Sequence, residues 1–472
     1  AGNDITTGTQ NVLIGGLAGD ALTTGSDNTA VGYGALSSED AHGKNTAIGR
    51  YALLTLNAGA DAYNVAVGYD AGRAVSTGTE NTLIGSQAGD ALTTGSANVA
   101  VGFSALSTED GNGRNTAIGF KALQDLNAGA NAYNVAVGYD ASRRISTGIE
   151  NVTIGSFALD HLTSGNNNVA VGYQALTAED AHGRNVAIGH NTLRDQNAGA
   201  DAYNVAVGYD AGKVISTGVR NVIMGGIAGD ALTAGSHNVA IGYGALSAED
   251  AHGRNVAIGS AALYAQDAGA DAYNVAVGYD AGQAVTTGIS NTLIGGQAGN
   301  ALTTGFNNVA VGRQALATED TGRANTAIGY YALNAQNSDT ANYNVAVGYH
   351  AGKEVTTGIK NTLIGAGAGD ALTAGSENVA IGHGALGVED AHGRNVAIGY
   401  AALSSQDAGA DAYNVAVGFD AGGAVSTGTQ NTIVGGLAGD ALTTGSDNVA
   451  VGYLALSTED GNGRNVAIGK GA

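Results

Sequence analysis

The sequence predicts an all-β fold, a parallel β-solenoid of about 27 coils, and three observations predict it. First, the core Asn-x-x-(Val/Ile)-Gly recurs from Asn11 to Asn465 at spacings of 17, 17, 19 and 17 residues. Second, those spacings close a 70-residue period without insertion or loss, so Thr7-Gly8 returns as Thr77-Gly78 and finally as Thr427-Gly428. Third, a β-branched residue falls on the same step of every coil except at Met224, a regularity that Gly-rich disordered chains lack. A unit this short cannot bury its apolar face alone, so stacking must supply the core. The period marks repeat units 11-80, 81-150, 151-220, 221-290, 291-360 and 361-430, with a partial unit 431-472. The expectation is one continuous solenoid over residues 1-472, about 130 Å long at about 4.8 Å per coil.

Each coil is read from its Asn, taken as position 0. Asn11, Asn28, Asn45 and Asn64 open the four coil types, and their stacked amides are expected to form a hydrogen-bonded ladder. Position +1 is Val or Thr, and +3 is Val or Ile (Ile14, Val31, Ile48, Val67), both strand-favouring choices. Two-residue periodicity puts +1 and +3 on one face and 0 and +2 on the other. Position +2 is mostly Ala, so the strand is apolar on both faces and expects cover on both. One face can fill the coil's own lumen; with no helices available, a second copy is the simplest cover for the other. The reading is a homo-oligomer, a homotrimeric fibre. Gly15, Gly32, Gly49 and Gly68 at +4 call for positive φ or close backbone approach. Ala follows at +7, except at Thr192, and a second short strand is expected over +7 to +11, carrying Leu22, Leu56 or Val75. Polar loops such as Thr24-Gly25 and Asn57-Ala58-Gly59 close the coils.

Composition excludes several classes of function. A net charge of −22 argues against nucleic acid and anionic membranes, which need basic tracks. No apolar run is long enough to span a membrane. The absence of Cys removes disulfides and thiolate metal sites. Neither an initiator Met nor a signal peptide opens the chain, so the expectation is a processed chain or a segment of a longer one.

Asn28-Thr-Ala-Val-Gly-Tyr-Gly-Ala-Leu36 and Asn98-Val-Ala-Val-Gly-Phe-Ser-Ala-Leu106, joined by Thr-Thr-Gly or Ser-Thr-Gly, resemble the repeats of bacteriophage tail-fibre proteins of marine phages. The Asn-x-Ala-(Val/Ile)-Gly core is also similar to the heads of trimeric autotransporter adhesins. The resemblance covers essentially the whole chain and implies a trimeric parallel β-roll, in a virion or at a cell surface. It implies the shaft of a tail or virion fibre, or else a surface adhesin or extracellular filament. The partner it implies is a host cell-surface glycan or receptor, reached through domains outside this sequence. Adhesin head coils are shorter than the 17 to 19 residues here, so the part of the coil beyond the strand must differ.

Four acidic loops carry Glu-Asp-Ala-His: Glu39-Asp40-Ala41-His42 and the copies starting at Glu179, Glu249 and Glu389. Carboxylates beside an imidazole suit a divalent cation. The copies Glu109-Asp110-Gly111-Asn112 and Glu319-Asp320-Thr321-Gly322 break the pattern and favour a plain acidic turn. Glycine strings such as Gly15-Gly16-Leu17-Ala18-Gly19 lack the strand-to-helix context of a dinucleotide site, so no cofactor is expected. Thr-Thr-Gly pairs do not continue through coils two and three, as an ice-binding lattice would require. Tyr33, Tyr69, Phe103, Tyr139 and Tyr173, with Tyr63, Tyr133, Tyr203 and Tyr273, offer rings for sugar stacking or for shielding backbone at the coil corner. Carboxylates recurring every 70 residues do not make the unique pair of a glycosidase, which leaves a polysaccharide-degrading spike as a lesser alternative and no enzyme as the expectation. Joining Ala472 to Ala1 would separate Asn465 from Asn11 by 18 residues, within the coil range, so head-to-tail polymerisation and excision from a longer fibre both fit.

Overall fold

In the computed structural model, which describes residues 1–472, every Asn-x-x-(Val/Ile) core forms a three-residue strand, from β1 (Val12–Ile14) to β27 (Val466–Ile468). β-branched side chains at its first and third steps favour extended backbone, and the following Gly ends it. Pairing is parallel and unshifted, with Val12 opposite Thr29, Leu13 opposite Ala30 and Ile14 opposite Val31. The chain is an all-β parallel β-solenoid of 27 turns without a helix, hence without one long and apolar enough to cross a membrane. It divides into two compact units. Ala1–Ser236 holds the strands from β1 to β13 (Val222–Met224), and His237–Ala472 holds those from β14 (Val239–Ile241) to β27.

In both units the lumen is lined by +2, +7, +8 and +11. Ala30, Ala47, Ala66, Leu53 and Leu56 are wholly buried in the first unit, as are Ala346, Leu363 and Leu333 in the second. Side-chain volumes compensate between neighbouring coils. A Cβ on Gly72 would lie 2.6 Å from Leu83 Cδ1, and one on Gly89 would lie 2.8 Å from Leu83 Cδ2. Leu83 thus fills the room that two glycines leave. One period later Ser142 stands for the first glycine, Leu159 for the second and Thr153 for the leucine, with the buried hydroxyls of Ser142 and Thr153 2.7 Å apart. The extra polar atoms are bonded to each other, as burial demands.

The Gly column at +4 meets both demands expected of it. Gly102 has φ 142°, and a Cβ there would sit 2.2 Å from the carbonyl oxygen of Gly119 in the next coil. Beyond it, the expected second strand over +7 to +11 does not form; the segment is a turn. Alternate residues adopt left-handed backbone, with Tyr51 at φ 61° and Leu53 at φ 47°. Leu53 and Leu56 both point into the lumen, a three-residue step that a strand's alternation forbids. The N–H groups of these left-handed residues bond in opposite directions along the stack. Tyr51 donates back to the Tyr33 carbonyl at 3.0 Å, and Leu53 donates forward to the Ala71 carbonyl at 3.0 Å. The turns are therefore cross-linked between coils, as the strands are. Position +8 is Leu, Gly or Ser wherever it occurs, never a β-branched residue, in keeping with that backbone.

Candidate functional site

Asn28, Asn45 and Asn64 are buried inside the coil, and Asn11 is half-buried at the first turn. Their ladder runs from side chain to backbone. Asn28 Oδ1 accepts the Asn45 N–H at 3.1 Å, and Asn45 Oδ1 accepts that of Asn64 at 3.1 Å. The amide nitrogen works on the loop side: Asn64 Nδ2 donates to the Gly78 carbonyl at 2.8 Å. An Asn bonded in this way ties the start of one strand to the neighbouring coil and to the return loop, whereas Asn185, Asn255, Asn325 and Asn395 keep the coil-to-coil bond and leave Nδ2 without a partner. Direct amide-to-amide contacts occur too, as from Asn448 Nδ2 to Asn431 Oδ1 at 3.0 Å. Gly15, Gly32, Gly49 and Gly68 follow the strands with φ of 125°, 135°, 139° and 149°.

Ile14, Val31, Ile48 and Val67 lie on the outer face of the sheet, the face for which a second copy is the expected cover. Val31 and Val67 are half-buried, while Ile48 remains 38% exposed and Ile14 60%. The inward face goes to Asn and Ala because only the Asn side chain can serve the loops, and only a small +2 leaves room for Leu at +8. The outer face carries Val or Thr at +1 and Val, Ile or a single Met at +3, without one charged residue in 27 strands. This uncharged strip runs along the outer sheet face in each unit.

Aromatic side chains at +5 border the strip. Phe103, Phe120 and Tyr139 stack face to face at 5.4 and 5.0 Å, and Tyr173, His190 and Tyr209 at 5.2 and 5.3 Å. Rings stacked in this way cover one another's faces and present their edges outward, which removes the flat platform a sugar needs. Tyr63, Tyr133, Tyr203 and Tyr273 belong to a different column. There Arg114 donates to Tyr133 Oη at 2.5 Å, and Lys44 to Tyr63 Oη at 3.1 Å. Lys44 also pairs with Asp61 at 2.8 Å, and Arg394 with Asp411 at 2.9 Å beside Tyr413. The bond from Lys44 holds the exposed Asp61 carboxyl below its usual range.

Glu39 occupies +11, the lumen position of Leu22 and Leu56, and is wholly buried. Its Oε1 accepts the His42 N–H at 3.1 Å, and His42 Nδ1 lies 3.6 Å from the same oxygen. Glu39 Oε2 and His42 Nδ1 have no hydrogen-bond partner, and ligand atoms of Glu39, Asp40 and His42 fall within 4.8 Å of one another. That donor set fits a hard or borderline divalent ion. The copies without His carry the plainer role. Glu109 bonds the Asn112 N–H at 3.1 Å, and Glu319 bonds the Gly322 N–H at 2.7 Å and the Asn342 amide at 2.7 Å. At Glu109 and Glu319 the carboxylate staples the loop from inside. Burial pushes these carboxyls up, against the bonds from loop N–H groups, and Glu389 is pushed up to about 7.

Compared with known proteins, the chain matches no family model and no curated protein. Two features escape a linear reading of the sequence: the stacking of the +5 rings and the basic–Asp–Tyr clusters. Both become visible when residues are aligned by coil, because Lys44, Asp61 and Tyr63 recur together as Arg184, Asp201 and Tyr203.

Proposed function

We propose that the chain is a structural fibre protein, the shaft of a phage tail or virion fibre, built as a homotrimer. The observation that carries this reading is the uncharged outer sheet strip on a chain of net charge −22. A strip with Ile84, Ile118, Ile154 and Ile188 each about 40% exposed is costly to leave in water. A parallel sister copy in register matches it coil for coil, because every coil offers the same residue types. Acidic loops on the remaining surface keep finished fibres apart. The protein's work is mechanical: stacked turns hold a recognition element at a distance from the particle, with a host glycan or receptor bound by other domains.

The Asn-x-Ala-(Val/Ile)-Gly core favours a second reading, a bacterial surface adhesin or secreted extracellular filament. Immunogold labelling of a producing culture separates the two. Label along fibres attached to virions supports the shaft; label confined to cell envelopes or free filaments replaces it with the adhesin. Release of reducing sugar from host capsule by the purified chain would overturn both in favour of a degrading spike.

A further inference from the structure

The column of rings at +5 lacks a rung in the first coil of each period, where Ser86, Ser156, Gly296 and Ala366 stand in place of aromatic residues. In three of these coils the next residue carries a side chain over the gap: Gln87, Phe157 and Gln297. In the coil that begins at Asn361 both positions are small, Ala366 and Gly367, and a cavity of about 250 Å³ opens there. Its walls are Tyr349 and His350 on one side and His383 on the other, with Asp370 at its base.

The walls are parallel to the column. Tyr349 stacks on Tyr330 at 5.5 Å and 7°, and His383 stacks on Tyr400 at 5.4 Å and 10°. The gap is one missing ring in a stack, so the coils on either side of it stand about 9.6 Å apart, two rises of roughly 4.8 Å. That is the room one ring needs to stack on both sides. Volume agrees, since an apolar cavity of about 150 Å³ already admits benzene.

The protein itself fills the equivalent slot with a ring. Phe157, 210 residues before Gly367, sits edge-on between its neighbours, 5.3 Å and 64° from Tyr139 and 6.1 Å and 89° from Tyr173. The acid beneath differs between the two places. Asp160 pairs with Arg143 at 3.4 Å and His161 at 3.9 Å. The counterparts of those bases are Lys353, which pairs with Glu354 at 2.8 Å, and Ala371. Asp370 faces the cavity with His350 and Lys353 close enough to act on its charge but no ion-pair contact, and its Oδ2 is 3.5 Å from where a Gly367 Cβ would be.

We propose that this slot binds a single planar ring bearing a positive charge, an aryl amidinium or a protonated heteroaromatic. The ring intercalates between the Tyr349–His350 pair and His383, and its cation rests on Asp370. The test is calorimetric titration of the full chain with benzamidinium, using cyclohexanecarboxamidinium (a cation without a flat ring) and neutral benzamide as comparators. One benzamidinium should bind per chain, with the cyclohexyl cation at least tenfold weaker. Ala366→Phe supplies the missing rung at a position that carries rings in neighbouring coils, and should weaken binding at least tenfold. Asp370→Asn should weaken benzamidinium several-fold while leaving benzamide unchanged, which guards against misfolding of the first variant. No binding to the natural chain at millimolar ligand, or equal binding by Ala366→Phe, would overturn the proposal.

Discussion

Asn134 Oδ1 lies 2.9 Å from the backbone nitrogen of Asn151, and Asn151 repeats the bond to Asn168 at 3.0 Å. Like residues thus hand a hydrogen bond from coil to coil, and the Asn151 amide also donates to the Gly165 carbonyl at 2.9 Å. Asn151→Ala strands the buried Asn168 N–H and the Gly165 carbonyl together. The expected cost is about 2–4 kcal/mol of local stability. Hydrogen exchange at the Asn168 amide measures it; unchanged protection would mean the ladder is dispensable.

Two glycines with positive φ separate crowding from backbone strain. At Gly102 a Cβ would strike the Gly119 carbonyl at 2.2 Å, whereas at Gly129 (φ 69°) nothing lies within 4 Å. Gly102→Ala should cost about 3 kcal/mol or more. Gly129→Ala should cost about 1 kcal/mol. Denaturation midpoints of the two variants give the comparison, and equal losses would contradict the close approach of coils.

The strands and their register were legible because one Asn-x-x-(Val/Ile)-Gly core marks every coil. The turn at +5 to +9 was not, because Leu53 and Leu56 read as apolar strand residues until their three-residue step is noticed. The absence of β-branched residues at +8 was the available signal. Whether Ala47 or Ile48 faces the lumen is not legible from hydrophobicity, because both strand faces are apolar; only the Asn amide, needed inside by the loops, decides between them. The slot at Ala366 stayed hidden because small residues there look like any other turn residues.

Ser142 and Thr153 form a matched exception in the lumen. Thr153→Leu alone should overpack against Ser142, since the Gly72–Leu83 pair leaves no room for a Cβ. Ser142→Gly and Leu159→Gly, taken as one change, with Thr153→Leu as the second restore the arrangement of the preceding period. A double-mutant cycle in thermal denaturation should show coupling of about 1–3 kcal/mol favouring the double variant. Strict additivity would refute the volume exchange.

Glu109 and Glu319 have folded pKa values raised above 4.5 by burial. Between 4.5 and its raised value each holds more proton in the folded chain than in the unfolded one, so its contribution falls as pH climbs through that window. Glu109→Gln with Glu319→Gln removes the titration. The difference in melting temperature, variant minus natural chain, should therefore grow more positive from pH 4.5 to pH 8. A difference that is flat or shrinks across that range would contradict burial of these acids.

Light scattering on the purified chain tests assembly through the outer sheet face most directly. The natural chain should give the mass of three 46.2 kDa subunits, and Ile154→Lys with Ile188→Lys should reduce it by placing charge on that face. A stable natural chain with the mass of one subunit would contradict the trimer, because Ile154 would then face water by design.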